Sequence, residues 1–205
     1  MTAEQDGSTH PTFSVDTNLF RELGELLVGR DSTALVELIK NSYDADATLV
    51  SVYGEALDDE QLGYIRISDD GTGMTSSEFR LGFLRIASRG KEVGQRRSLL
   101  FGRRFTGAKG VGRLAAHKLA RIVEVTSLRW NGETNRRRPV ASSGVTAIID
   151  WDQIEKHHTL DEIAGTKAIS VSELRLDSPS KPGTSVTLRK LRQRWSKAAH
   201  ARFLE

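Results

Sequence analysis

The order of elements in the sequence predicts an α+β fold, a two-layer sandwich with helices packed on one face of a mostly antiparallel sheet. Two observations carry this. Helical periodicity is concentrated early, over residues 19–46 and again over 110–119. Four strand-like runs then follow one another late, at 122–130, 145–151, 167–174 and 184–188. At 205 residues the chain is long enough for one substantial core.

The elements read as follows. Residues 1–18 are small and polar at their start and form a flexible tail. After Asp31, apolar or small residues fall at Leu35, Leu38, Ile39, Ser42 and Ala45, the spacing of a core-facing helical stripe, with Asp31-Ser32 as a candidate cap. Strands at 49–53 and 64–68 come next, the second stopping at Asp69-Asp70-Gly71-Thr72-Gly73. Thr75 or Ser76 caps a helix running through Phe79 to Ile86. Residues 88–109 carry many basic and few apolar side chains, which predicts a mobile loop. A polar break at 131–143 separates two of the late strands, and 191 onward is expected to be helical. There are no internal repeats.

Composition narrows the function. Hydrophobic residues make up 38% and charged residues 28%, ordinary values for a soluble domain. Thirty basic against twenty-seven acidic residues leave +3, too small a surplus to imply a nucleic-acid partner. The basic residues are uneven, however, with Arg96, Arg97, Arg103 and Arg104 in one segment and Arg136, Arg137 and Arg138 in another, so nucleic acid stays open. Cysteine is absent, which excludes disulfides and thiolate metal sites. No apolar run approaches the ~18 residues of a membrane span, and residues 1–10 lack the pattern of a signal peptide. A cytoplasmic protein with no membrane partner is expected.

Three motifs carry chemistry. In Glu37-Leu38-Ile39-Lys40-Asn41-Ser42-Tyr43-Asp44, helical spacing sets Glu37, Asn41 and Asp44 on one face, opposite Leu35, Leu38 and Ser42. That face is either solvated or functional. A glutamate can orient or deprotonate a water, and an asparagine carbonyl is a hard oxygen ligand suited to magnesium. The second motif, Asp69-Asp70-Gly71-Thr72-Gly73-Met74, follows a strand. Its glycines allow close backbone approach to a flat ligand, and a carboxylate accepts from an exocyclic amino group. A tight acidic turn reads the same way, whereas a calcium loop lacks its spaced oxygen ligands and terminal glutamate here. The third, Gly107-Ala108-Lys109-Gly110-Val111-Gly112, enters a helix and offers backbone N–H groups to a phosphate. It is not a Walker loop, since no Gly-Lys-Ser/Thr ends it.

In this order the motifs, with Pro182-Gly183-Thr184-Ser185-Val186 as a fourth element, resemble the GHKL family of gyrase B, large heat-shock chaperones, sensor histidine kinases, MutL and MORC proteins. The resemblance spans about residues 19–190, and the wording Glu-Leu-x-x-Asn-Ser-x-Asp-Ala-x-Ala-Thr is closest to MutL and MORC. It implies the GHKL ATP-binding fold with magnesium and ATP as ligands. Glu37 would be the general base, Asn41 the magnesium ligand, and Asp44 a brace beside the base pocket. Asp69 would accept from the adenine amino group, with Gly71, Gly73 and Met74 lining the pocket and Thr184 supporting it. Gly107, Gly110, Val111 and Gly112 would hold the triphosphate. Lys91, in Ser88-Arg89-Gly90-Lys91, sits at a lid element of MutL-like and MORC-like members, and Lys109 either touches a phosphate or faces solvent. The implied layout is a tail at 1–18, an ATP-binding domain at 19–190 with its lid at 88–109, and a helix at 191–205 leading to a further domain.

The implied activity is slow ATP hydrolysis, weak in this chain because a γ-phosphate lysine from a second domain is missing, coupled to lid closure and homodimerisation. A kinase catalytic domain is the first alternative, although histidine kinases commonly carry lysine where Asp44 stands and only His10 precedes the motif. A module that binds nucleotide without hydrolysing it is the second.

Overall fold

The computed structural model describes residues 13–27, 30–85, 97–106, 114–132 and 140–195. Helices α1 (Leu19–Leu27) and α2 (Asp31–Asp44) come first, then strands β1 (Val50–Glu55) and β2 (Tyr64–Asp69). A single turn, α3 (Ser76–Glu78), continues as a π-helical stretch, Phe79–Leu84. Next come α4 (Leu114–Leu119), β3 (Ala120–Trp130), β4 (Ala141–Asp150) and the short helices α5 (Trp151–Ile154) and α6 (Leu160–Ile163). Strands β5 (Ile169–Ser180) and β6 (Gly183–Leu191) close the described chain.

The six strands form one sheet in the order β1-β2-β6-β3-β4-β5, every neighbouring pair antiparallel. Alternation along the strands decides which face is buried. Ile65 and Ile67 of β2, Val123 and Val125 of β3, Val145, Ala147 and Ile149 of β4, and Leu188 of β6 point to one side. There they meet Ala34, Leu35 and Leu38 of α2, Ala115, Ala116 and Leu119 of α4, and Phe79 in a single core. The other face is polar: Tyr64 lies between the guanidinium groups of Arg66 and Arg189, and Arg189 pairs with Glu124 at 2.9 Å. The expected two-layer α+β sandwich is the observed one. No described helix is long and apolar enough to cross a membrane.

Local signals hold at several places. The Thr75 capping box is closed, with Thr75 Oγ1 accepting from Glu78 N and Glu78 Oε2 accepting from Thr75 N. Four expectations are corrected. The residue before α2 is Arg30, in extended conformation without a side-chain cap, so Asp31 is already helical. The strand expected at 145–151 starts at Ala141 and ends at Asp150, because the Asp150 carboxylate accepts from Gln153 N and starts α5. Residue 191 is the last of β6, paired with Ala120, and 192–195 are not helical; 196–205 lie outside the described residues. The loop expected at 88–109 has anchors over 97–106, polar rather than apolar, which are described below.

Candidate functional site

The site is built where α2, the β2 terminus and the first turn of β6 converge. α2 buries Ala34, Leu35, Leu38 and Ser42, so its stripe turns inward as the spacing predicts. Asp44, expected on the opposite face with Glu37 and Asn41, is buried too, because Thr106 seats on its carboxylate. Glu37 and Asn41 lie one turn apart on its free side. Glu37 is about a quarter exposed, and its Oε1 accepts from Lys40 Nζ at 2.7 Å. The Asn41 side chain is exposed and has no hydrogen-bond partner among the described residues.

Asp69 is the centre of the arrangement. Its Oδ2 accepts from Ser42 Oγ at 2.8 Å, and its Oδ1 accepts from Gly71 N at 2.9 Å and Thr184 N at 3.2 Å. Burial pushes the carboxyl above its ordinary range, against the opposing pull of these three donors. One carboxylate thus ties α2, β2, the glycine turn and β6 together. Asp70 beside it faces the other way, and its Oδ1 accepts from Thr48 N and Leu49 N.

The glycines of the turn are demanded by close approach. A Cβ on Gly71 would lie 2.6 Å from the Ala45 carbonyl oxygen. Gly73 has φ +61°, and a Cβ there would lie 1.8 Å from the Leu128 carbonyl oxygen, so no other residue fits without moving β3. The turn is pinned further by Thr72, whose carbonyl accepts from Trp130 N and from Arg129 Nη1, while Arg129 Nε pairs with Glu78.

A buried hydroxyl relay completes this wall. Met74 N donates to Ser127 Oγ at 2.8 Å, and Ser127 Oγ shares a hydrogen bond of 2.8 Å with Thr184 Oγ1. Ser127 is fully buried. The sequence marked Met74 and Thr184 but gave no sign of Ser127, a single serine in an ordinary strand. Helical spacing places Ser42 in the core stripe but does not indicate its hydrogen bond to Asp69.

Asp44 is buried and accepts from both Thr106 N at 2.8 Å and Thr106 Oγ1 at 2.9 Å. Asp46, also buried, accepts from Leu100 N at 2.6 Å and Phe101 N at 3.2 Å. Arg103 Nη1 donates to the Ala47 carbonyl at 2.7 Å and the Tyr43 carbonyl at 3.3 Å, with its guanidinium over the Tyr43 and Phe101 rings. Counting only apolar anchors missed these contacts. Neither Asp46 nor Arg103 was a candidate on sequence. Lys91, Gly107, Lys109, Gly110, Val111 and Gly112 lie outside the described residues.

The structure therefore brings Asp69, Gly71, Met74 and Thr184 together with Ser42 and Ser127, and sets Gly73 against β3. Glu37 and Asn41 instead lie along the middle and last turns of α2, joined to that cluster by no hydrogen bond among the described residues. A cavity of about 570 Å³, walled by Phe20, Phe83, Leu84, Leu114, Trp151 and Ile163 among others, is a separate feature bordered by none of them.

The chain belongs to the histidine kinase-, DNA gyrase B- and HSP90-like ATPase family, whose model matches residues 30–178. Membership supports ATP binding and, at a general level, ATPase chemistry. Among curated proteins, the chain is 34% identical over 116 residues to a putative type II restriction enzyme, HgiDII, of Herpetosiphon aurantiacus. That match covers 57% of this chain and 18% of the relative's length. Among solved structures, the N-terminal domain of a DNA repair protein aligns with 84% of this chain and 39% of its own, at 18% identity and a TM-score of 0.46.

Proposed function

We propose that this domain binds magnesium ATP beside α2 and hydrolyses it slowly, with nucleotide-dependent closure of the 88–109 lid around its anchored residues 97–106, and homodimerisation, as the output. The observation that carries the reading is Asp69, a half-buried carboxylate fixed from two sides by Ser42 and Thr184 beside a glycine turn that only glycine can make. A carboxylate held this firmly discriminates an amino group from a carbonyl, and so adenine from guanine. Gly71, Gly73, Met74 and Thr184 form the wall beside it, and Asp44 braces the end of α2.

Magnesium fits the residues present. It is commonly held by one or two protein oxygens together with substrate phosphates and waters. Asn41 offers one such oxygen, exposed and unengaged among the described residues. When bound, the ion neutralises phosphate charge. The protein's part is to hold the ion and, through Glu37, to orient the attacking water. The glycines at 107–112 and Lys91 are assigned to the phosphates by motif alone.

Lys40 on Glu37 bears on the rate. The ammonium occupies one carboxylate oxygen and leaves Oε2 for a water. This favours slow turnover and gives specific support to a second reading, a module that binds without hydrolysing. The restriction-enzyme relative makes DNA the partner class to examine in a longer protein.

Calorimetric titration with magnesium ATP and GTP tests the base assignment. ATP should bind in preference, and Asp69→Asn should weaken ATP strongly because the amide presents a donor to the adenine amino group. Equal affinities for ATP and GTP in the wild type would overturn the adenine-reading role. Glu37→Ala should retain binding and lose turnover. A variant hydrolysing as fast as the wild type would remove Glu37 as the base.

A further inference from the structure

Asp46 has a backbone that suits glycine. α2 ends in a Schellman motif: Asp46 N donates to the Tyr43 carbonyl at 3.1 Å and Ala47 N to the Ser42 carbonyl at 3.0 Å. The residue in the left-handed position of that motif is Asp46, with φ +63°. Glycine takes this conformation without cost, whereas a residue with a Cβ is strained there. Asp46 is also 3% exposed, so its carboxylate is taken out of water as well. Both costs need a compensating contact, and the structure shows which one. The carboxylate accepts the two adjacent backbone N–H groups of Leu100 and Phe101.

Those two amides are the tip of a small hairpin. Arg97 and Arg104 form an antiparallel bridge, Ser98 N donates to the Arg103 carbonyl, and Arg103 N donates to Ser98 Oγ. Asp46 holds the tip, Arg103 holds the carbonyls at the end of α2, and Asp44 holds Thr106 just beyond the hairpin. Thr106 is the residue immediately before Gly107.

We propose that Asp46 is a positioning residue for the nucleotide site. It clamps the 97–104 hairpin onto the C-terminal end of α2, so that the helix bearing Glu37 and Asn41 and the chain entering the glycine motif are held in one fixed relation. The ligand that senses the clamp is the terminal phosphate of a nucleoside triphosphate. This rests on the nucleotide reading above, and it assigns Asp46 a role through Leu100 and Phe101 rather than by contact with ligand.

The experiment compares the full chain with its Asp46→Gly and Asp46→Asn variants by amide hydrogen exchange, thermal midpoint and titration with ADP and a non-hydrolysable ATP analogue. Glycine relieves the backbone strain and deletes the clamp. The expected result is a folded Asp46→Gly protein in which the Leu100 and Phe101 amides lose protection and trypsin cuts faster after Arg103 and Arg104. Its ADP affinity should stay within about threefold, while affinity for the ATP analogue falls about tenfold, within the usual range of coupling between distant groups. Asp46→Asn keeps one acceptor oxygen and should fall between the two. A role in stability alone would leave the ratio of ATP-analogue to ADP affinity unchanged, and that outcome overturns the proposal. So does retained protection of the two amides in Asp46→Gly, or global unfolding of that variant. A wild-type protein that binds neither nucleotide overturns the nucleotide reading and this role together; one that binds both, matched by its variant, overturns this role only.

Discussion

Ser127→Ala isolates the hydroxyl relay behind the glycine turn. The side chain is fully buried, so its loss is not made good by bulk water. Its Oγ accepts from Met74 N and shares a hydrogen bond with Thr184 Oγ1, both at 2.8 Å. Deleting the oxygen strands the Met74 N–H, and an unsatisfied buried donor costs about 1–3 kcal/mol. The Thr184 hydroxyl is only partly buried and can turn to another partner, so it adds little. A loss of about 2 kcal/mol follows, which in a domain of this size lowers Tm by about 4–8 °C. Equilibrium urea unfolding followed by circular dichroism measures it, with the slope expected to match the wild type. Ser143→Ala, on the exposed part of β4, serves as control and should stay within about 0.5 kcal/mol. If Ser127→Ala is as stable as that control, the relay contributes nothing and the reasoning fails. A double cycle with Thr184→Val should show coupling, since the two hydroxyls are in contact.

Two further outcomes follow from geometry and charge. Gly73→Ala should cost at least about 3 kcal/mol, since its Cβ meets the Leu128 carbonyl at a positive φ, whereas Gly82→Ala, with open space around it, should be neutral or mildly stabilising; urea midpoints of the pair decide. Burial lowers the His117 pKa below 6.5, opposed by its hydrogen bond from Nε2 to Glu155 and reinforced by the charge of Arg192. A depressed folded pKa means that the stability is present above about pH 6.5 and is lost as pH falls through the folded value. Stability of the wild type should therefore drop between pH 7 and 5 more steeply than that of His117→Gln, and parallel curves would count against this.

The motifs were legible where function is written locally. Glu37, Asn41 and Asp44 lie within one helix, and Asp69, Gly71 and Gly73 within one turn, so spacing alone brings them together. What the sequence hid depends on pairing across the sheet. Ser127 matters only because β3 lies beside β6 in a register that sets it opposite Thr184. Asp46 has no local signal in the sequence, and its role appears only where the hairpin tip is seated on it. A basic, apolar-poor segment lacks hydrophobic anchors and so predicts a mobile loop, whereas two buried carboxylates and a guanidinium supply polar anchors to the 97–104 hairpin. Leu191 fitted a helical continuation equally well, since a lone apolar residue followed by basic ones has no decisive period.

The place of β6 in the sheet determines when the site can exist during synthesis. The last strand lies between β2 and β3, so every sheet hydrogen bond joining the β1–β2 hairpin to the β3–β4–β5 meander passes through it. Asp69 and the backbone N–H it accepts from at Thr184 are 115 residues apart. A nascent chain that has emerged only to residue 180 holds a two-stranded hairpin, marginal by itself, and a three-stranded piece with an unpaired edge. Asp69 then lacks the β6 side of its support, whatever α2 has already done. Closure is thus a late, long-range event of the kind that folds slowly. Truncation before Gly183 splits the sheet through its middle instead of trimming an edge.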